Sequence, residues 1–157
     1  MTILLIRHAV AADADEWKGP DIDRPLTKDG MRRFRRTARR LADWYPRPDR
    51  LVCSQAARAR GTAELLHEQW KRPPIETRAE LNPGARLPII RNLLRETASA
   101  GLIVLVGHEP DFSQALAGWV SDGTLRLKLK KGGVAEVRWT PGGKAELRAL
   151  FNPGHCG

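Results

Sequence analysis

Thr2-Ile3-Leu4-Leu5-Ile6-Arg7-His8-Ala9-Val10 opens the chain as an apolar run that stops at an arginine and a histidine. A run this short, rich in Ile and Leu and ended by charge, predicts a buried parallel strand. Its carboxyl end then delivers Arg7 and His8, and in open α/β sheets ligands bind outside the carboxyl ends of strands. The residue types suit that place. Arginine offers a planar fork to an anionic oxygen, and neutral imidazole is a nucleophile near physiological pH. Taken alone, the pair reads more simply as an exposed strand ending.

Two later stretches repeat the pattern. Gly101-Leu102-Ile103-Val104-Leu105-Val106-Gly107-His108-Glu109-Pro110 is the most strand-like run in the chain and also ends in a histidine. Gly107 allows a tight turn beside His108, and Asp111 is expected to cap the helix that carries Phe112, Leu116 and Trp119. Asp49 to Ser54 predicts a further strand that enters a helix through Ala63 and on to Trp70, with Arg58 at its start, aimed back toward the strand ends. Free N–H groups and the helix dipole favour an anion at such a start. Ile75 to Thr77 reads as a third short strand.

Between these stretches, Ala11 to Lys28 is a polar loop holding Asp13, Asp15, Asp21 and Asp23, and loops over strand ends line sites. The aspartates lack the regular spacing and terminal glutamate of a calcium loop, so no metal is expected. Thr27 is the expected N-cap of a helix from Lys28 to Trp44, whose apolar stripe is Met31, Phe34, Ala38, Leu41 and Tyr45. Arg32, Arg33, Arg35, Arg36, Arg39 and Arg40 form its basic outer face, which reads as a solvated surface and otherwise as a docking face. Leu87, Ile90, Leu93 and Leu94 mark another amphipathic helix. From Leu125 to Gly133, Val134 to Trp139 and Ala145 to Phe151 the chain alternates at period two, which predicts antiparallel strands at the sheet edge with Lys130 and Lys131 keeping that edge soluble or adding to an anion-attracting field.

These elements predict an α/β chain: a three-layer α/β/α sandwich with a mostly parallel central sheet and antiparallel C-terminal edge strands, forming a single domain over residues 1–157. The net charge of +9 favours anionic partners without choosing among phosphorylated substrates, acidic proteins and nucleic acid. Nucleic acid is not expected, because no aromatic residues interleave with the basic face to stack on bases. No apolar run approaches the roughly 20 residues of a membrane span, and no signal segment is seen, so a cytoplasmic protein is expected. Cys53 and Cys156 have no spacing of a metal knuckle or redox pair, and Cys53 reads as a buried thiol.

With these residues assembled, the chain resembles the histidine phosphatase superfamily, and within it the small SixA-type phosphohistidine phosphatases. Leu5-Ile6-Arg7-His8-Ala9 resembles the Arg-His signature, Asp23-Arg24-Pro25-Leu26-Thr27 through Gly30 the following loop, Ser54 through Ala63 the second-arginine segment, and Val106-Gly107-His108-Glu109-Pro110-Asp111 the second-histidine turn. The resemblance implies a cofactor-independent phosphatase in which His8 is the nucleophile that becomes phosphorylated, with Arg7, Arg58 and His108 as the phosphate pocket. Arg24 and Thr27, on the matching loop, join the expected substrate-binding residues. Ala9 stands where many members have glycine, a change that the SixA-like group tolerates.

A second departure concerns the proton donor. Many members carry a glutamate in the turn after the third strand, and here that turn reads Leu81-Asn82-Pro83-Gly84, with Glu80 slightly early as the candidate acid. That departure favours protein phosphohistidine, whose imidazole leaves with little help, over an alkoxide leaving group. The stretch from Arg58 to His108 is also too short for a capping subdomain. The expected partner is therefore a phosphorylated protein, such as a histidine-containing phosphotransfer protein. The alternatives are a phosphatase of small phosphomonoesters and a non-catalytic basic module binding acidic protein or nucleic acid.

Overall fold

The computed structural model describes residues 1–96, 100–140 and 145–153. The opening run is strand β1 (Thr2–Arg7), followed in chain order by β2 (Arg50–Cys53), β3 (Ile75–Thr77), β4 (Leu102–Gly107), β5 (Val134–Trp139) and β6 (Ala145–Phe151). All lie in one sheet of order β3-β2-β4-β1-β5-β6. β3, β2, β4 and β1 run parallel, while β5 and β6 are antiparallel additions beside β1. The expected architecture is the observed one.

Among the described residues four α-helices cover the sheet: α1 (Lys28–Trp44), α2 (Ala57–Trp70), α3 (Leu87–Arg95) and α4 (Asp111–Val120). Alternation along β1 divides the core. Leu4 and Ile6 face α1 and α2, where Phe34, Ala38, Leu41, Ala63 and Leu66 bury the stripe expected for those helices. Ile3 and Leu5 face α3 and α4 and meet Ile90, Leu93, Leu94, Phe112 and Leu116. Both faces of the parallel strands are thus covered, which is why β1 and β4 read as unbroken apolar runs. Each fully buried side chain of this kind contributes roughly 1.5–3 kcal/mol of transfer free energy.

The start of α1 behaves as its sequence predicts: Thr27 Oγ1 accepts from Gly30 N at 2.9 Å. Gly30 is required there, since a Cβ would lie 2.1 Å from the Val10 carbonyl oxygen. The helix start is therefore pressed against the residues that follow His8.

Two expectations are corrected. Residues 125–130 join no ladder, although their alternation persists as exposed Arg126, Lys128 and Lys130 against half-buried Leu125 and Leu127 and buried Leu129. Both sides of β1 are already taken by β4 and β5, so Leu127 and Leu129 pack on the α3/α4 core without a strand partner. Asp111 is not a cap. It is the first residue of α4, Pro110 holds the N-cap position, and Asp111 Oδ2 instead accepts from Gly84 N at 2.9 Å. Burial raises the Asp111 carboxyl above its ordinary range, opposed by the backbone N–H groups of Gly84 and Ala85.

Cys53 is fully buried at the end of β2, and burial pushes its thiol up to about 12. Cys156 and the Pro/Gly turn before β6 lie outside the described residues. Among the described residues no helix is long and apolar enough to cross a membrane.

Candidate active site

Register places the two histidines side by side. β1 and β4 pair in parallel with Arg7 opposite Gly107, so His8 and His108 are the next residues past the paired ends. His8 N donates to Gly107 O at 3.0 Å, and the two imidazole rings stand 5.2 Å apart between centroids, close to the roughly 4.8 Å spacing of neighbouring strands. Both rings are buried, at 5% and 3% exposure.

His8 Nδ1 lies 2.7 Å from the carbonyl oxygen of Ala9. A carbonyl only accepts, so Nδ1 carries the proton and Nε2 keeps its lone pair. Burial, aided by the charges of Arg58, Arg7 and Arg24 and opposed by the Ala9 hydrogen bond, lowers its pKa to about 3. The ring is therefore neutral near pH 7, with the Nε2 lone pair free of a proton. Next to it, Ala9 N donates to Thr62 Oγ1 at 3.0 Å, and Thr62 donates in turn to Arg58 O at 2.7 Å. The residue after the nucleophile candidate is tied directly to the turn of α2 that carries Arg58.

The two arginines differ in what already holds them. Arg7 donates through Nη1 to Leu129 O at 2.8 Å, and its buried Nε has no acceptor among the described residues. Arg58, 3% exposed in the first turn of α2, donates through Nη1 to Asp21 O at 2.7 Å and through Nη2 to Asp21 Oδ2 at 2.9 Å. Its Nε is likewise buried and unpartnered. Orphan donors on buried guanidiniums are costly, and an oxyanion beside them would offset that cost.

These positions match an independently recognised pattern. The family model of the histidine phosphatase superfamily (branch 1) matches residues 3–83, which include Arg7, His8 and Arg58. The chain belongs to the histidine phosphatase superfamily. A curated relative, an uncharacterised protein of Picosynechococcus sp., is 33% identical over 95% of this chain and 90% of its own length. The solved structure of the protein histidine phosphatase SixA complexed with tungstate superposes with a TM-score of 0.91 over 100% of both chains at 21% identity. A candidate phosphohistidine phosphatase SixA from Agrobacterium tumefaciens is 26% identical, with a TM-score of 0.83 over 97% of this chain and 98% of its own. The chain is a phosphatase of this superfamily.

In this histidine phosphatase, His108 is held by a network that no motif announced. His108 Nε2 lies 2.9 Å from Ser54 Oγ, which is 3.0 Å from Asn82 Oδ1 and accepts from Ala56 N at 3.1 Å. Gln55 N donates to the same Asn82 oxygen at 2.9 Å, which fixes the amide's orientation. With the Ser54 proton on Asn82, Ser54 Oγ accepts from His108 Nε2–H. Burial, then the neighbouring His8 and Arg58, lowers the His108 pKa to about 3.

The remaining expected residues divide. Arg24 is close enough to act on the charge of His8, yet it donates to Ala12 O at 2.7 Å and Asp21 Oδ1 at 2.9 Å and so braces the loop. The Thr27 hydroxyl is spent on Gly30 N and Val10 O, as cap and clasp. Glu80 sits in a 3-10 turn, Ala79–Leu81, where Arg78 Nη2 donates to its Oε1 at 2.8 Å. That arginine holds its carboxyl below the usual glutamate range, the opposite of what a general acid needs. The residues missed from sequence are Asp21, Ser54 and Asn82. Ser54 had a signal in standing directly after a strand end. Asp21 had only its place in a loop over a strand end and Asn82 had none, because each acts across 28 positions or more on a partner chosen by the fold.

Proposed function

We propose that this phosphatase removes the phosphoryl group from phosphohistidine on a protein, through a phospho-His8 intermediate. The observation that carries the reading is His8 itself: a buried neutral imidazole, its Nδ1 proton fixed on Ala9 O, beside two guanidiniums with unpartnered Nε donors.

His8 Nε2 attacks phosphorus while the bond from phosphorus to the substrate imidazole breaks. That imidazole, already protonated on its other nitrogen, departs neutral. Arg7 and Arg58 supply positive donors to the equatorial oxygens, the main requirement of in-line phosphoryl transfer. The charge of the arriving phosphoryl group favours a second proton on His108, which turns its Nδ1 from acceptor into donor while Nε2 stays on Ser54. Water then attacks phospho-His8, the P–N bond breaks, and inorganic phosphate leaves with His8 restored.

Two further features support a phosphoramidate on a protein. Glu80 is ionised and paired with Arg78, so an alkoxide would depart without its proton. The segment between Arg58 and His108 is spent on α2, β3, α3 and β4, all part of the sandwich, which leaves no insertion to roof the site among the described residues. The test is hydrolysis of p-nitrophenyl phosphate, an alkyl phosphomonoester, phosphoramidate and a phosphohistidine protein, compared side by side. The proposal expects the protein substrate to have the highest kcat/KM. A higher value for an alkyl phosphomonoester would overturn it.

A further inference from the structure

Beside the nucleophile lies a cleft of about 240 Å³ whose floor is Ala9, Val10 and Phe34 and whose rim carries Arg33, Lys130 and Lys131. Its volume is below the roughly 300–1,000 Å³ of pockets that enclose metabolites, and it suits a protruding side chain. The segment bearing the lysines is clamped to the end of β1. Gly132 N donates to both Arg7 O at 3.1 Å and His8 O at 3.0 Å, Arg7 N donates to Gly133 O at 3.0 Å, and Gly133 N closes the turn on Lys130 O at 2.7 Å. Gly132 has φ +75°, and a Cβ on Gly133 would meet Lys130 O at 2.8 Å, so the two glycines permit this clamp. The lysines are thereby held in fixed register with His8.

The charge on the rim is largely unanswered. Asp29 pairs with Arg33 at 2.6 Å and with Arg32 at 2.5 Å, one carboxylate between two arginines. Lys130 and Lys131 are exposed and have no carboxylate within ion-pair range among the described residues. Nothing in the reaction proposed above uses them.

We infer that this cleft receives an aspartate or glutamate side chain of the substrate protein, close to the phosphohistidine that His8 attacks. The inference rests on the phosphohistidine reading and adds the specificity: an acidic segment beside the scissile group. Lys130 and Lys131 supply the charge, the apolar floor takes the side-chain methylenes, and the backbone clamp supplies preorganisation.

The test uses two synthetic phosphohistidine peptides, one flanked by Asp and Glu and one by Ser and Gln, with wild type and Lys130→Ala/Lys131→Ala. Phosphoramidate is the small control, and a fluorescein-labelled, unphosphorylated copy of the acidic peptide is followed by anisotropy. The acidic peptide should be favoured about fivefold in kcat/KM at low salt. The preference should vanish in the double variant and at high salt, with phosphoramidate turnover unchanged. Equal turnover of both peptides, or a preference that survives the double substitution, would overturn the docking site and leave the phosphohistidine reading intact. Failure to hydrolyse either peptide, with phosphoramidate consumed, would overturn the phosphohistidine reading. The labelled peptide then decides the cleft: weaker binding to the double variant upholds it and equal binding rejects it.

Discussion

Asp21 Oδ2 lies 2.9 Å from Arg58 Nη2, with the Asp21 main-chain oxygen on Nη1, so the buried guanidinium at the head of α2 is held by a residue 37 positions earlier. The carboxylate is exposed and also takes a hydrogen bond from Arg24, which is the leading cause of its lowered pKa. In the proposed reaction, an incoming phosphoryl group would share Arg58 with this negative charge. Asp21→Asn keeps the acceptor and the backbone contact and removes the charge. Inhibition by inorganic phosphate should then tighten by about two- to fivefold, the scale of a partly exposed ion pair. Weaker inhibition would mean that the charge orients Arg58 and does not compete with the anion.

Ser54→Ala removes the hydrogen-bond partner of His108 Nε2 and the side-chain acceptor of Ala56 N. A hydrogen bond to a charged group is worth roughly 1.5–3 kcal/mol, and His108 gains its second proton only as the phosphoryl group arrives, so kcat should fall by about ten- to a hundredfold, with a smaller change in KM. Ser54→Thr, which restores the hydroxyl, should recover most of the loss. Equal damage from both substitutions would point to packing and not to the hydrogen bond.

Glu80→Gln should leave turnover of phosphoramidate and aryl phosphates within about twofold of wild type, because the carboxylate is committed to Arg78 and is not a proton source. Rates across a series of phosphate esters should depend steeply on leaving-group pKa in both proteins. A selective loss for alkyl esters in Glu80→Gln would identify Glu80 as the general acid.

Stability should be pH-dependent on the acidic side. His8 and His108 are lowered from an ordinary value of 6.5 to about 3 when folded, mainly by burial. Above 6.5 neither state is protonated and the histidines contribute no pH dependence. As pH falls from there toward 3, the unfolded chain binds protons that the folded chain refuses, and stability drops by about 1.4 kcal/mol per pH unit for each histidine. Asp111, raised by burial, acts in the opposite sense at lower pH. Urea unfolding between about pH 6 and 5 should show this slope, and His8→Asn should remove about half of it. A midpoint that does not move with pH would contradict neutral, buried rings.

The sheet and the histidines were legible because they depend on local pattern: an apolar run that stops at charge marks a strand end wherever it falls, and β1 and β4 both do this. The α1 stripe and Thr27 cap were legible for the same reason. Residues 125–130 misled because period-two alternation reports one-sided burial, and whether a free ladder edge exists is a property of the assembled sheet. Asp111 misled because a carboxylate at a helix start has the same sequence signature whether it caps its own helix or reaches Gly84. The links from Asp21 to Arg58 and from Ser54 to Asn82 join segments that only the fold brings together.

The central claim is that His8 is the nucleophile, and the most direct measurement is rapid acid-free quenching of the enzyme during turnover of phosphoramidate, followed by peptide mass spectrometry. A phosphoryl group that is base-stable and acid-labile should appear on His8, at Nε2, and should be absent with turnover abolished in His8→Ala. Turnover that persists in folded His8→Ala, or steady hydrolysis by wild type with no phosphorylated His8 under conditions that slow its breakdown, would contradict the account.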